Sequence, residues 1–155
     1  FSISKYDGTW KVVGQNIEVY DNNDFQLLPG QGYIIKTKKD LEIEIWGQPI
    51  QFETEEDSAA VTFFEGWNLI GLYGNNIKEY TAKSLIQDIN AYEPVDLTAN
   101  NVTKWDSEVQ RYEGLQLDIE NGVEMEYGFD YALNTLEGYF VRISEGTGNW
   151  QPSVK

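Results

Sequence analysis

Polar and apolar residues alternate one by one through Leu41-Glu42-Ile43-Glu44-Ile45, Leu115-Gln116-Leu117-Asp118-Ile119-Glu120 and Val123-Glu124-Met125-Glu126-Tyr127. A period of two places aliphatic side chains on one face and acids on the other, as in half-solvated antiparallel strands. Turn residues separate the runs at Asp7-Gly8, Asp21 to Asp24, Pro29-Gly30, Asn75-Asn76 and Asn121-Gly122, the last a two-residue hairpin signal. About a dozen short strands are expected. One segment changes period: Ala82, Leu85, Ile86 and Ile89 fall at i, i+3, i+4 and i+7, with Thr81 as cap and Pro94 barring continuation. The spacing predicts a helix over 81–90 that covers a sheet face or a barrel mouth. The expected fold class is mainly β: an antiparallel β-sandwich or partly open barrel with one short α-helix.

The chain also repeats itself. Residues Asp24 to Lys36 align without a gap on Asp130 to Arg142, at an offset of 130 minus 24, or 106, with Asp, aromatic, Leu, Gly-Tyr and the final cation coinciding. Upstream, Ile3-Ser4-Lys5-Tyr6-Asp7 matches Val102-Thr103-Lys104-Trp105-Asp106, followed in both by a turn and an aromatic, Trp10 or Tyr112. Downstream, Trp46 then Pro49 matches Trp150 then Pro152. The expected organisation is a first, incomplete copy over 1–53 and a second, fuller copy over 54–155, packed as one β-rich unit. Only the second copy is preceded by the apolar run Phe64 to Tyr73 and a helix. Either the chain is cut from a longer array inside one unit, or the first copy is a half-unit that completes the second; repeat units seldom bury their faces alone, which favours the cut.

Composition narrows the chemistry. With no Cys and no His among 155 residues, Cys/His zinc sites, Ser-His-Asp and Cys-His nucleophile systems and thiol redox centres are excluded. The balance of 11 basic against 26 acidic residues, net −15, opposes nucleic-acid and anionic membrane surfaces alike. No apolar run reaches the length of a bilayer span, so no membrane insertion is expected. The start at Phe1, with no signal peptide, fits a processed product or an excised piece, and an acidic, Cys-free, aromatic-rich composition leans towards an extracellular or cell-surface location. Asn101-Val102-Thr103 is a formal glycosylation sequon best read as a chance occurrence.

Gly66-Trp67-Asn68-Leu69-Ile70-Gly71, Lys104-Trp105-Asp106, Arg111-Tyr112 and Gly138-Tyr139-Phe140-Val141-Arg142 together resemble a repeat of large bacterial and archaeal surface or secreted proteins. The resemblance covers most of residues 62–153, and its second half recurs in residues 2–49. It implies an extracellular, array-forming β module, with neighbouring domains of the same polypeptide or surface proteins as partners, and it implies no catalytic residues.

Three candidate sites arise from the residues. Aromatics placed alike in both copies, and Trp67 within its apolar run, read as shared packing, in the core or by strand pairing, which leaves the unmatched Tyr73, Tyr80 and Tyr92 around the helix as candidate ligand-binding residues, glycans being the class they would stack on. Asp21, Asn23 and Asp24 form an oxygen-rich turn, a weak Ca²⁺ candidate lacking the spacing of a Ca²⁺ loop with a bidentate Glu; no other cofactor is expected. Paired carboxylates for glycoside hydrolysis are not selected by any sequence feature, and no Gly-rich phosphate loop is present, so no enzyme activity is expected. The functional expectation is a non-catalytic extracellular module with a structural or adhesive role; the alternative is a carbohydrate-binding module using exposed tyrosines.

Overall fold

In the computed structural model, which describes residues 1–6, 9–14, 25–40, 60–74, 77–135 and 137–155, the elements follow in the order β1 (Ser2–Tyr6), β2 (Trp10–Gly14), β3 (Ile34–Lys36), β4 (Val61–Phe63), β5 (Gly66–Gly71), α1 (Ala82–Asn90), β6 (Thr98–Asp106), β7 (Arg111–Glu120), β8 (Val123–Gly128), β9 (Gly138–Glu145) and β10 (Gly148–Trp150). The fold is mainly β, with antiparallel sheets in a sandwich-like arrangement and none closed into a barrel. A three-stranded sheet runs β2-β1-β3, a five-stranded sheet runs β5-β9-β6-β7-β8, and β4 pairs with β10.

The two larger sheets share one pairing register. Ile3 lies between Val13 and Ile35 in the small sheet, as Val102 lies between Leu115 and Val141 in the large one. The aligned lysines also match, since the Lys5 and Lys104 ammonium groups each sit 5.2 Å from an aligned ring centroid, Phe25 and Tyr131. The sheets meet at β5, whose Ile70 pairs with Tyr139 on one edge and with Gln31 on the other. Gly32 permits that approach, because a Cβ there would stand 2.5 Å from the Ile70 carbonyl oxygen.

α1 covers one face of the five-stranded sheet. Thr81 caps it, accepting from Ser84 N through its hydroxyl, while the Ser84 hydroxyl accepts from Thr81 N in return. The stripe Ala82, Leu85, Ile86 and Ile89 is buried against Val102, Leu115, Val141 and Ile143, with Phe63 and Trp150 of β4 and β10 closing the same core. Asn90 fixes the helix end to β6 by donating to Ala99 O (3.0 Å) and accepting from Ala99 N (2.6 Å). The run Gly66–Gly71 keeps a polar residue for a local reason: buried Asn68 accepts from Phe64 N (3.0 Å) and donates to Phe64 O (2.7 Å), tying the turn into β5. Asn121 and Gly122 adopt positive φ (52° and 79°), as a two-residue hairpin between β7 and β8 requires. No helix among the described residues is long and apolar enough to cross a membrane.

Candidate functional site

Because strand side chains alternate, burying Ile70, Val102, Leu115 and Val141 under α1 forces their neighbours onto the opposite face. Pairing there sets Trp67 beside Arg142, Leu69 beside Phe140, Thr103 beside Phe140 and Trp105 beside Tyr112. The three-stranded sheet brings Tyr6 and Trp10, themselves a cross-strand pair, against this face. The rings then run in series: Tyr6 to Trp10 5.1 Å, Trp10 to Phe140 6.4 Å, Phe140 to Tyr112 5.8 Å and Tyr112 to Trp105 4.9 Å between centroids. Successive planes are inclined at 54°, 65°, 77° and 68°, so edges meet faces and the set forms walls and a floor rather than a flat strip.

The result is a groove of about 540 Å³ lined by Tyr6, Trp10, Trp67, Asn101, Thr103, Tyr112 and Phe140. Trp10 is 52% exposed and Tyr112 57%, values far from those of packed aromatics. Thr103 donates to Asn101 Oδ1 at 2.7 Å, placing an amide and a hydroxyl beside the rings. A larger depression of about 900 Å³ adjoins, sharing Tyr112 and Phe140 and extending to β3 and the β6–β7 turn, where Lys36, Lys104, Asp106, Glu108 and Glu137 supply charge of both signs. Rings held by their neighbours and by strand pairing lose little freedom when a ligand docks, so the groove is organised in advance.

The tyrosines singled out by sequence lie elsewhere. Tyr73 packs half-buried against the core. Tyr80 is buried, its hydroxyl donating to Asp88 Oδ2 (2.9 Å) and accepting from Ser153 N (2.9 Å), and burial pushes its pKa well above the ordinary tyrosine value. Tyr92 is half-buried and donates to Gln151 Oε1 at 3.0 Å. None of the three lines the aromatic groove. Asp21, Asn23 and Asp24 fall outside the described residues, as does Trp46. Among the described residues no group of three or more acidic side chains is placed to hold a metal ion.

The expectation that aromatics shared by both copies sit in the core or pair across strands fits Tyr139 and Trp150, which are fully buried, and also Tyr6 with Trp10 and Trp105 with Tyr112, which pair across strands while Trp10, Trp105 and Tyr112 stay exposed. Trp67, expected to be structural, is also exposed. The physical reason is the pleat, since Trp67 and Leu69 point away from α1 while Asn68 and Ile70 point towards it, and a run whose one polar side chain, Asn68, lies on the buried side hides that division. One usable signal was present: Trp105 and Tyr112 flank a short turn, which pairs them across a hairpin near its solvent end.

The molecule is thus an antiparallel β protein of two register-matched sheets with an aromatic groove where they meet. Comparison of the chain with known protein families, curated proteins and solved structures finds no match.

Proposed function

We propose that the chain is a non-catalytic extracellular β module of a larger surface or secreted protein, with a structural and adhesive role, and that the aromatic groove is its adhesive surface. The observation that carries this reading is the exposure of Trp10, Trp67 and Tyr112 around a groove completed by the rings of Tyr6 and Phe140 and by an amide and a hydroxyl. Large exposed aromatics gathered in a concavity mark recognition surfaces more often than packing. The acidic, Cys-free composition and the resemblance of the repeat support the extracellular assignment.

The ligand class favoured is a neutral glycan. A sugar ring presents an apolar face to stack on an indole or phenol and hydroxyls to pair with Asn101 and Thr103. The inclined rings suit a single saccharide chain lying in the groove, and the net charge of −15 disfavours anionic glycans. The test is a glycan-array screen of the intact chain with and without Ca²⁺. Saturable binding to a neutral glycan is expected, lost in Trp10→Ala and Trp67→Ala and retained in Tyr73→Ala with Tyr92→Ala. Dependence on Ca²⁺ would make the Asp21 to Asp24 turn a site, and absence of binding by the folded chain would overturn the glycan assignment and leave a neighbouring protein domain as the occupant.

A further inference from the structure

The match between the two sheets extends to what covers them, and there it breaks. In the large sheet, the row Leu115, Val102, Val141 lies across three neighbouring strands and is fully buried in the core that α1 closes. In the small sheet, the same register gives the row Val13, Ile3, Ile35. Three aliphatic residues thus occupy the positions that a helix covers in the other copy. Ile35 is 51% exposed where Val141 is 0%, and Ile3 and Val13 are only half-buried. Among the described residues no helix lies over this row, since α1 packs on β6 and β7.

We infer that the Val13–Ile3–Ile35 row is the seat of an amphipathic helix of the α1 type, supplied by a further repeat unit. The chemistry of the occupant follows from the copy in which the seat is filled: a small residue and three aliphatics at i, i+3, i+4 and i+7, as in α1. An exposed row of this kind on a three-stranded sheet suits a unit that stacks on a neighbour, because repeat units bury a continuous core only when stacked. Ile3 and Val13 point to the face of their strands opposite Tyr6 and Trp10, and no residue of the row lines the aromatic groove, although Ile35 reaches the adjoining depression, so groove and seat can fail as binding sites separately.

The experiment joins a duplicate of residues 60–99 directly ahead of Phe1 in the otherwise intact chain, which gives β1 the lead-in that β6 has from α1. Amide hydrogen exchange then reads β1, β2 and β3 with and without the duplicate. Protection of these strands rising by about tenfold or more is expected, together with loss of that gain in the fused Ile35→Lys variant. The unfused Ile35→Lys chain keeps its thermal midpoint, since Ile35 is half-exposed there. Unchanged exchange of β1–β3 in a folded fusion overturns the inference. So does strong destabilisation of the unfused chain by Ile35→Lys, which would mean that the row is already covered by this chain's own residues.

Discussion

Tyr33 and Tyr139 hold their chains in the same way: each hydroxyl accepts from the backbone amide five residues upstream, Leu28 N and Asn134 N, at 2.7 Å in both, and each donates to the side chain two residues upstream, Gln31 at 3.0 Å and Glu137 at 2.8 Å. Each ring also stacks on the aromatic that precedes it by the same spacing, Phe25 or Tyr131. A hydroxyl that closes its own approach loop fixes where a strand begins, which explains why Gly-Tyr recurs in both copies. Burial sets the difference between them. Tyr139→Phe leaves the Asn134 amide without its partner beside a sealed core and should cost about 1–2 kcal/mol. Tyr33→Phe, at a half-buried site, should cost less than about 1 kcal/mol. Urea unfolding of the two variants measures both, and equal costs would refute a dependence on burial.

Asp88 gathers the polar groups that surround Trp150. Its carboxylate accepts from Tyr80 Oη (2.9 Å), Trp150 Nε1 (3.2 Å), Ser153 Oγ (3.2 Å) and Lys78 Nζ (3.2 Å), so one helix residue ties α1 to β10 and the C-terminal segment. Asp88→Ala leaves an indole N–H and a phenol O–H buried together without an acceptor, and the expected loss is about 3 kcal/mol or more. Asp88→Asn keeps one carbonyl acceptor and should lose less. A Trp fluorescence unfolding curve separates the two, and a cost below about 1 kcal/mol for Asp88→Ala would remove the carboxylate from this role.

Alternation was legible as strand in 115–120 and 123–127, the run 41–45 lying outside the described residues, but the side facing the core was not. In β7, Leu115 and Leu117 are buried while Ile119, on the same face, is exposed, because α1 spans only nine residues and does not reach so far across the sheet. In β8 the usual arrangement is inverted: Glu124 and Glu126 share the face of Leu117 and Ile119, and Val123, Met125 and Tyr127 are exposed on the other. Lys83 makes that arrangement tenable by reaching from α1 to Glu124 (2.9 Å) and to Glu126. The helix and its Thr81 cap follow from local chemistry and were therefore readable. The groove depends on how two copies meet at β5, a relation between segments far apart in sequence, so its aromatics looked like any other strand residues.

Buried phenols set the alkaline limit. Burial raises the pKa of Tyr80, Tyr131 and Tyr139 above the ordinary value of 10.0. For Tyr139 the Asn134 amide partly offsets this, while for Tyr131 the neighbouring Tyr139 and Glu137 add to it. A group whose folded pKa is raised contributes stability that is fully present below the unfolded value and is lost as pH rises towards the folded one. Stability should therefore be flat through neutral pH and fall once pH passes about 10. Tyrosinate absorbance should show these three phenols ionising only with unfolding, after the exposed ones, and a single smooth titration of all ten tyrosines with the fold intact would contradict it.

Whether the groove aromatics exist for packing or for a ligand is decided by what their removal costs. Trp150 is fully buried between Phe63 and Tyr80, at 6.1 and 5.9 Å, and Trp150→Ala should cost about 3–5 kcal/mol through lost burial and the cavity left behind. Trp67 lies on the exposed face of β5, and Trp10 touches Tyr6 and Phe140 with about half its surface in water. Truncating either removes only about half a tryptophan's buried area and leaves no sealed cavity, so Trp67→Ala and Trp10→Ala should each cost about half of what Trp150→Ala costs. A tryptophan removed at that lower cost to stability points to selection for a contact outside the chain. If Trp67→Ala instead unfolds the protein as readily as Trp150→Ala, the ring belongs to the core after all, and the adhesive surface must be sought in the adjoining depression around Lys36, Lys104 and Glu108.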